Sequence, residues 1–501
     1  MIYEGGMRTM TETAKKKRGM PSSFTILLAL LAIVAVITVI VSGTSGGEVT
    51  AARLSDFCTA PVKGFADALP VCLFVMILGG FLGMMTETGA LDNGIAVLVQ
   101  KLKGNEIMLV PVLMLIFSLG GTTYGMCEET VPFYALLAAT MMAAGFDPMV
   151  GAATVLLGAG CGCLGSTVNP FAVGAAVDAL TGVDIAVNQS IIIGLGGVLW
   201  LVTTVMSIVF VMSYAKKVKA DKGSTILSMQ ELEDAEAAHG KAASEVNKEV
   251  KLTGRQKGVL IAFAFTFVVM IVGFIPLADL NEGVANFFDA GAVYDADGNT
   301  VVQGWSALIT GLPIGQWYFD EASTWFFLMA VLIGIIGGLS EKQIVNTFIT
   351  GAADMMSVVL VIALARGISV LMASTGLDVY VLDAAANALA GLSGVIFAPM
   401  SFLVYFGLSF LIPSTSGMAT VSMPIMGPLA VKLGFSPEVM VMIFSAAIGV
   451  VNLFTPTSGA IMGGLALAKI EWTTWLKFAL KLIVALSVVC AVILTIACVM
   501  L

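Results

Sequence analysis

Two adjacent acidic residues, Glu128 and Glu129, lie in the otherwise apolar segment GMCEETVPF, and one basic residue, Arg366, lies in the apolar run VLVIALARGISVLM. Charged side chains inside membrane-spanning sequence are costly and rare, so these three are candidates for function. Two neighbouring carboxylates in a low dielectric do not readily both stay ionised. One could carry a coupling proton, or the two could face a cationic substrate. Arg366 could pair with a glutamate or bind a substrate carboxylate.

Four polar segments interrupt apolar runs, two in each half of the chain. Residues 120–125 and 413–417 are short and rich in Gly, Ser and Thr, whereas residues 165–170 (GSTVNP) and 452–458 (NLFTPTS) each contain a helix-breaking proline. These segments supply hydroxyl, amide and backbone groups. With the three charged residues, the candidate substrate-binding set is Thr122, Thr123, Tyr124, Gly125, Glu128, Glu129, Ser166, Thr167, Asn169, Pro170, Arg366, Ser414, Thr415, Ser416, Gly417, Asn452, Thr455, Pro456, Thr457 and Ser458.

Irregular backbone at membrane depth survives only inside protein or around a watery cavity. Free N–H groups at the start of a half-helix favour anions, and free carbonyls at its end favour cations. Such a site can hold a carboxylate and a cation side by side. A helix kink explains one such segment equally well, but four segments in matching positions favour a binding site.

The elements that position these residues are membrane helices. The chain has 501 residues, of which 58% are hydrophobic and 11% charged. Runs such as 24–42, 66–86, 191–213, 259–276 and 476–500 are long enough to cross a bilayer. The composition predicts an all-α polytopic membrane protein, and the first run is interpreted as a retained helix rather than a signal peptide.

Charge distribution orients the chain. Residues 1–23 carry five basic residues and residues 215–257 carry nine, whereas residues 277–324 carry seven acids and no Lys or Arg. By the positive-inside rule, the N-terminus and the linker 215–257 are cytoplasmic and 277–324 is external. The net charge of −9 belongs mostly to loops, so we expect neither a basic protein partner nor nucleic acid. The single histidine, His239, and the scattered cysteines argue against a metal centre or cofactor.

The two halves resemble each other. GTTYGMCEETVPF matches PSTSGMATVSMPI at an offset of 292, GFDP matches GFSP, TGALD matches TGLD, and GCLGSTVNPFAVG faces GVVNLFTPTSGAIMGG. Four matches in one order indicate a duplication. In this alignment Thr420 and Val421 stand where the first half has Glu128 and Glu129, and Gly79 stands where the second half has Arg366.

Parity predicts the relative orientation of the repeats. An even number of spans must separate the N-terminus from the linker, and counting 107–119 as a span requires residues 91–102 to cross as well. The repeats are then inverted, as in secondary transporters. The predicted divisions are a tail 1–23, a first helix and external loop 24–65, a first repeat 66–214 (hairpin about 120–146, broken helix about 149–178), a linker 215–257, connecting helices 258–352 with the acidic loop 277–324, and a second repeat 353–501 (hairpin about 411–434, broken helix about 438–465).

The segments GMCEETVPFY, LGAGCGCLGSTVNPFAVG, ALARGISV and STSGMATVSMPIMGPLA resemble the YfcC family, which is grouped with the anaerobic C4-dicarboxylate carriers in the ion-transporter superfamily. The resemblance covers nearly the whole chain. It implies a homodimer with a scaffold domain and an elevator-like transport domain. In the related divalent anion/sodium symporters, Ser-Asn-Thr motifs at two hairpin tips hold carboxylate and sodium. The corresponding tips here, Thr122-Thr123-Tyr124 and Ser414-Thr415-Ser416, lack that central asparagine.

The predicted function is secondary active transport of a small carboxylate-bearing solute across the cytoplasmic membrane. Some relatives are assigned to basic amino acids, such as arginine–ornithine exchange, which suits Glu128 and Glu129. The alternative is a C4-dicarboxylate carrier that uses Arg366 and hydroxyls, with the glutamates protonated. The coupling ion is a proton or sodium. An ion channel would not need inverted halves, an enzyme would need a nucleophile or metal ligands, and no nucleotide-binding P-loop is present.

Overall fold

The computed structural model describes residues 23–91, 93–94, 97, 105–245, 251–275, 277–280, 282–295 and 300–501. The first half contains α1 (Ser23–Ser42), α2 (Leu54–Asp67), α3 (Leu69–Glu87), α4 (Leu109–Tyr124, preceded by a 3-10 turn Glu106–Met108), α5 (Val131–Ala143, preceded by a 3-10 turn Glu128–Thr130), α6 (Pro148–Leu164), a π-turn Pro170–Gly174, α7 (Ala175–Thr181) and α8 (Gln189–Ala220).

The linker carries a 3-10 turn Lys222–Ser224 and α9 (Met229–Glu245). The second half contains α10 (Gly254–Phe274), α11 (Leu277–Leu280), α12 (Glu282–Phe288), β1 (Val293–Tyr294), β2 (Thr300–Val302), α13 (Phe319–Gly337), α14 (Glu341–Asp354), α15 (Met356–Thr375), α16 (Leu377–Leu389), α17 (Gly394–Leu411), α18 (Thr415–Lys432), α19 (Pro437–Val451), α20 (Gly459–Leu467) and α21 (Trp472–Met500). The two strands form one antiparallel hairpin, with Val293 opposite Val302.

Nine of the described helices are long and apolar enough to cross a membrane: α1, α3, α4 with its preceding turn, α8, α10, α13, α15, α17 and α21. Their outward faces are apolar as well. On α21, Val484, Val488, Val492 and Ile496 recur every four residues and are all exposed, which places them on one face of the helix. An apolar exposed stripe is suited to lipid rather than water. The prediction of a multi-pass α-helical membrane protein is confirmed.

The two halves pack on each other reciprocally. Helices α2 and α14 each have 14 residues, lie 287 positions apart and are joined to the next helix by a single residue, Ala68 or Met355. Helix α2 packs on α15, and α14 packs on α3. The close approaches match: Gly64 lies against Gly367, and Gly351 lies against Gly79 and Gly80. The correspondence therefore begins at residues 54 and 341, ahead of the predicted repeat starts at 66 and 353.

Helices α3 and α15 end in the same way. Gly89 follows α3 with φ +62°, and Gly376 follows α15 with φ +73°. Both glycines belong to the matched motifs TGALD and TGLD, and both adopt the left-handed conformation that glycine tolerates best. The chain leaves each half's central helix through the same kind of turn.

The first hairpin consists of helices α4 and α5. Helix α4 runs in the same direction as α6, because Met114 lies against Gly158 and Ser118 against Gly162, whereas α5 runs in the opposite direction, with Leu137 against Gly151. Residues 120–124, predicted to be irregular, continue α4, since the Gly121–Gly162 approach packs this stretch on α6. The turn lies at Gly125–Cys127, and the run 107–119 is part of a hairpin arm. The predicted crossing at 91–102 lies mostly outside the described residues.

The second hairpin, α17 and α18, turns at Ile412–Ser414, which is 287 positions after the first turn. By helix boundaries, Glu128 and Glu129 therefore correspond to Thr415 and Ser416, not to Thr420 and Val421. The dipeptide Gly-Met misaligns the hairpins because its glycine plays different roles. Gly125 ends α4 with φ +80°, whereas Gly417 lies in the first turn of α18 and donates its N–H to Ser414 Oγ.

Both predicted helix breaks are present, between α6 and the π-turn and between α19 and α20. Helices α6 and α19 cross close to them at reciprocal contacts. Gly160 lies against Leu453, and Gly449 lies against Leu164. A side chain at Gly449 would collide with the Leu164 backbone and separate the helices, whereas one at Gly160 would meet only the Leu453 side chain. Gly449 above all therefore brings the two breaks side by side.

The helices form two groups. Helices α1–α3, α10 and α13–α15 pack mainly on one another, and α4–α8 with α17–α21 form the second group. The linker is docked on the second group through α9. A ring nitrogen of His239 lies 3.1 Å from the Leu467 carbonyl oxygen, and Glu231 accepts the N–H of Glu471 at 2.9 Å. Burial lowers the pKa of His239, which favours its neutral form.

Candidate functional site

A cavity of about 150 Å³ lies where the two hairpin turns and the two helix breaks meet, with α15 closing one side. A cavity of this volume indicates a small solute rather than a peptide. Eleven of the predicted residues line it: Gly125, Glu128, Glu129, Asn169, Arg366, Ser414, Thr415, Ser416, Asn452, Thr457 and Ser458.

The other nine predicted residues do not line this cavity, and several of them hold its walls. They are Thr122, Thr123, Tyr124, Ser166, Thr167, Pro170, Gly417, Thr455 and Pro456. The Thr122 hydroxyl donates to the Gly165 carbonyl at 2.7 Å, and the Thr167 N–H donates to the Thr122 carbonyl at 2.9 Å. These bonds fasten the first hairpin to the first break.

Asn169 organises the first break. Its side-chain oxygen accepts the N–H of Phe171 at 2.9 Å, which caps the π-turn that Pro170 begins, and its amide donates to Ser166 Oγ at 2.9 Å. It also lies against Gly125, where no side chain would fit. Asn169 therefore joins the break to the hairpin turn, and its amide is largely occupied by protein.

The second half contributes several polar side chains that, unlike Asn169, are not held by hydrogen bonds to the protein. The hydroxyls of Thr455 and Thr457 lie 2.7 Å apart and bond to each other. By contrast, the side chains of Thr415, Ser416, Asn452 and Ser458 line the cavity and make no hydrogen bond to any residue within the described ranges. All four residues are half-buried, and their side chains are accessible from the cavity. These four side chains are therefore available to a ligand.

Two of the predicted residues lie on the face of α4 away from the cavity. The Thr123 hydroxyl bonds back to the Leu119 carbonyl, and the Tyr124 ring stacks on Phe274 with centroids 5.2 Å apart. The Tyr124 hydroxyl is buried without a hydrogen-bond partner in the described part of the chain. Packing, rather than ligand contact, accounts for the positions of both residues.

The two glutamates form the acidic side of the cavity. Glu129 is 1% exposed and accepts the Cys127 N–H at 2.9 Å, so its carboxyl also stabilises the hairpin turn. Glu128 lies beside it in the chain and lines the same cavity as Arg366. Cys127 and Cys163 line the same wall, and the Cys163 thiol donates to the Met126 carbonyl at 3.3 Å.

Arg366 forms the basic side. Its Nε lies 3.3 Å from Asp67 Oδ2, and its guanidinium makes no hydrogen bond to any described residue. Arginine carries five N–H donors, so most of its binding capacity is unused. Sequence analysis missed Asp67, which is the second residue of the predicted first repeat 66–214. One signal in the sequence could have pointed to it: the equivalent helices α2 and α14 both end in an aspartate, Asp67 and Asp354.

Comparison with known proteins places this site in a family context. The sequence matches the family of C4-dicarboxylate anaerobic carriers over residues 45–499. An uncharacterised Haemophilus influenzae protein is 29% identical over 443 residues, covering 88% of this chain and 78% of its own. An Escherichia coli K12 protein named "Putative basic amino acid antiporter YfcC" is 27% identical over 440 residues, covering 86% of this chain and 77% of its own.

Two solved transporters are similar in structure. The Neisseria gonorrhoeae MtrF protein, described with a class of antimetabolite efflux pumps, is 17% identical with a TM-score of 0.44, covering 97% of this chain and 96% of its own. The Alcanivorax borkumensis YdaH transporter is 15% identical with a TM-score of 0.46, covering 95% and 98%. The resemblance that the sequence motifs indicated is confirmed by the family match: the chain belongs to the C4-dicarboxylate anaerobic carrier family of transporters.

Proposed function

We propose that this transporter moves a small amino acid-like solute, a basic amino acid in the first instance, by exchange across the cytoplasmic membrane. One observation carries the proposal: the cavity places the unsatisfied guanidinium of Arg366 and the carboxyls of Glu128 and Glu129 around one small volume. An amino acid offers a carboxylate to the arginine and an amine to the glutamates. The name of the Escherichia coli relative is consistent with this substrate class.

A C4-dicarboxylate is the second candidate, and the family description favours it. Among the described residues, Arg366 is the only Lys or Arg lining the cavity, so the second carboxylate would meet the two glutamates. Like charges in a low dielectric repel strongly unless one side is neutralised. A dicarboxylate would therefore require both glutamates to bind protons, whereas a basic amino acid would not.

The same proposal includes inverted repeats. If the α4–α5 hairpin is re-entrant, then α1, α3, the broken pair α6–α7 and α8 make four crossings between the N-terminal tail and the linker. The count is even without residues 91–102. The first hairpin then starts from the cytoplasmic face and the second from the external face, which is the arrangement of secondary transporters.

An elevator movement follows from the two helix groups. The cavity lies between them, with the hairpins and breaks on one side and Arg366 on the other. We infer that the second group, with the docked linker, carries the solute past the first group, which holds the homodimer together. The coupling ion in this scheme is a proton on Glu128 or Glu129, with sodium at the hairpin turns and breaks as the alternative.

Counterflow into proteoliposomes tests the substrate class. Liposomes loaded with arginine should take up labelled arginine, ornithine or lysine in a saturable manner, with no requirement for sodium. Succinate and fumarate should neither drive nor inhibit this exchange. Exchange of the dicarboxylates alone would establish the second candidate, and non-saturable flux would indicate a channel.

Arg366→Gln should weaken arginine transport at least tenfold, because losing one member of a desolvated charge contact costs about 2–5 kcal/mol. The measurement is kcat/KM in the counterflow assay. Lys219→Gln is the matched control, since Lys219 pairs with Glu106 at 2.6 Å and does not line the cavity. Equal activity in the two variants would remove Arg366 from the proposed site.

A further inference from the structure

The contact between Arg366 and Asp67 joins two helices that do not need it for packing. Helices α2 and α15 meet through Gly64 and Gly367, and the equivalent pair, α14 and α3, meets through Gly351, Gly79 and Gly80. In that second pair the position of Arg366 is occupied by Gly79, where a side chain would collide with Met355 and Gly351. The same helix packing is thus achieved in the other half without a charge pair.

The aspartate itself is present in both halves. Asp67 ends α2, and Asp354 ends α14, 287 positions later. Only Asp67 has an arginine opposite it, and Asp354 has no ion-pair partner among the described residues. The cavity has an arginine on one side only, and of the two equivalent aspartates only Asp67 pairs with it.

The geometry of the pair is that of a weak contact. Asp67 meets Arg366 through Nε alone at 3.3 Å, and the Asp67 side chain is 51% exposed. A solvent-exposed, single-point ion pair contributes little to stability, in contrast to a two-point pairing of a guanidinium with a carboxylate. The terminal nitrogens of Arg366 remain without a protein acceptor in the described structure.

We propose that Asp67 is a specificity-determining residue, an internal carboxylate that holds Arg366 while the cavity is empty and that a substrate carboxylate replaces. The inference rests on the proposed function, because it takes a carboxylate-bearing solute as the ligand of Arg366. Asp67 keeps the guanidinium beside the cavity and neutralises it. A solute carboxylate that takes Nε together with a terminal nitrogen makes a two-point contact and displaces the single-point contact of Asp67, so small inorganic anions and neutral solutes are selected against.

Displacement has a measurable cost. If Asp67 holds Arg366 for most of the time in the empty protein, the apparent dissociation constant is the intrinsic constant divided by the fraction of molecules in which the arginine is available. Asp67→Asn should remove that competition and tighten arginine binding about three- to tenfold. It should also relax selectivity, so that acetate inhibits arginine exchange by the variant but not by the wild-type protein.

The test uses purified full-length protein, with arginine binding measured by calorimetry and KM measured by counterflow. Asp67→Asn should lower both constants, Asp67→Glu should keep them near wild type, and Asp354→Asn, the matched control, should change neither by more than about twofold. In an Arg366→Gln background, Asp67→Asn should have no effect. Asp67→Ser serves as a second neutral variant should Asp67→Asn fold poorly.

The outcomes separate the two proposals. Weaker binding in Arg366→Gln together with unchanged or weaker binding in Asp67→Asn would overturn the role of Asp67 and leave the proposed function intact. Normal arginine binding by Arg366→Gln would overturn the arginine as a carboxylate receptor, and the role of Asp67 with it. An equal gain in arginine affinity in Asp67→Asn and Asp354→Asn would mean that the loss of any negative charge causes it. That result would also overturn the inference.

Discussion

Glu129→Gln is expected to abolish arginine counterflow, lowering its initial rate about 100-fold, which corresponds to about 3 kcal/mol. Glutamine retains an acceptor for the Cys127 N–H, so the hairpin turn should keep its shape. It carries no charge and releases no proton, so it can neither neutralise a bound cation nor couple transport to pH. The measurement is counterflow in proteoliposomes between pH 5 and 9.

Glu438→Gln provides the matched control. Glu438 is also buried, at 8% exposure, and also accepts a backbone N–H, that of Asn188 at 2.7 Å, but it does not line the cavity. We expect it to retain transport and its pH response. Wild-type, pH-dependent uptake by Glu129→Gln would refute the assignment of Glu129, and an equal loss in Glu438→Gln would show that burial, not location, sets the effect.

The second large effect concerns folding. Gly162→Val should destabilise the protein by about 3 kcal/mol or more, because its Cβ would lie far inside van der Waals contact of the Ser118 carbonyl oxygen. Helix α4 cannot yield there, since Gly121 meets Ala159 and Cys163 on the same seam. Separation of α4 from α6 would also open the Thr122 bond to Gly165.

Thermal unfolding in detergent, monitored by size-exclusion chromatography, measures this loss of stability. Gly194→Val is the control, because Gly194 lies within α8 and a Cβ there meets no atom within 4 Å. The control accounts for the difference in helix propensity between glycine and valine, which is the same in both variants. Similar melting temperatures for the two variants would mean that α4 and α6 can move apart at little cost.

The sequence predicts much of this site because breaks leave a local signature. Pro170 and Pro456 cannot continue a helix, and the flanking Ser, Thr and Asn residues point to the same four segments that converge on the cavity. Hydropathy likewise identifies the long spans, because a bilayer imposes one length scale on them.

The errors of prediction arise where packing between distant segments decides the structure. Glycine and threonine at 120–123 argue against a helix locally, yet α4 continues to Tyr124 because Gly121 and Gly162 allow close contact with α6. Tertiary contact overrides propensity in such cases. The pairing of Asp67 with Arg366 joins residues about 300 positions apart in different halves, and one sequence carries no signal for such a contact.

The left-handed glycines after α3 and α15 bear on how the molecule would move. Gly89 and Gly376 stand where the chain leaves the first helix group on its way to each hairpin. A β-carbon at either position would strain the turn, so glycine is the residue best suited to both. Because the two turns are built alike, one in each half of the chain, the elevator movement proposed above would strain both to a similar degree. Under the proposed mechanism, these two turns would favour neither the inward-open nor the outward-open form, which leaves the choice between the forms to the bound solute.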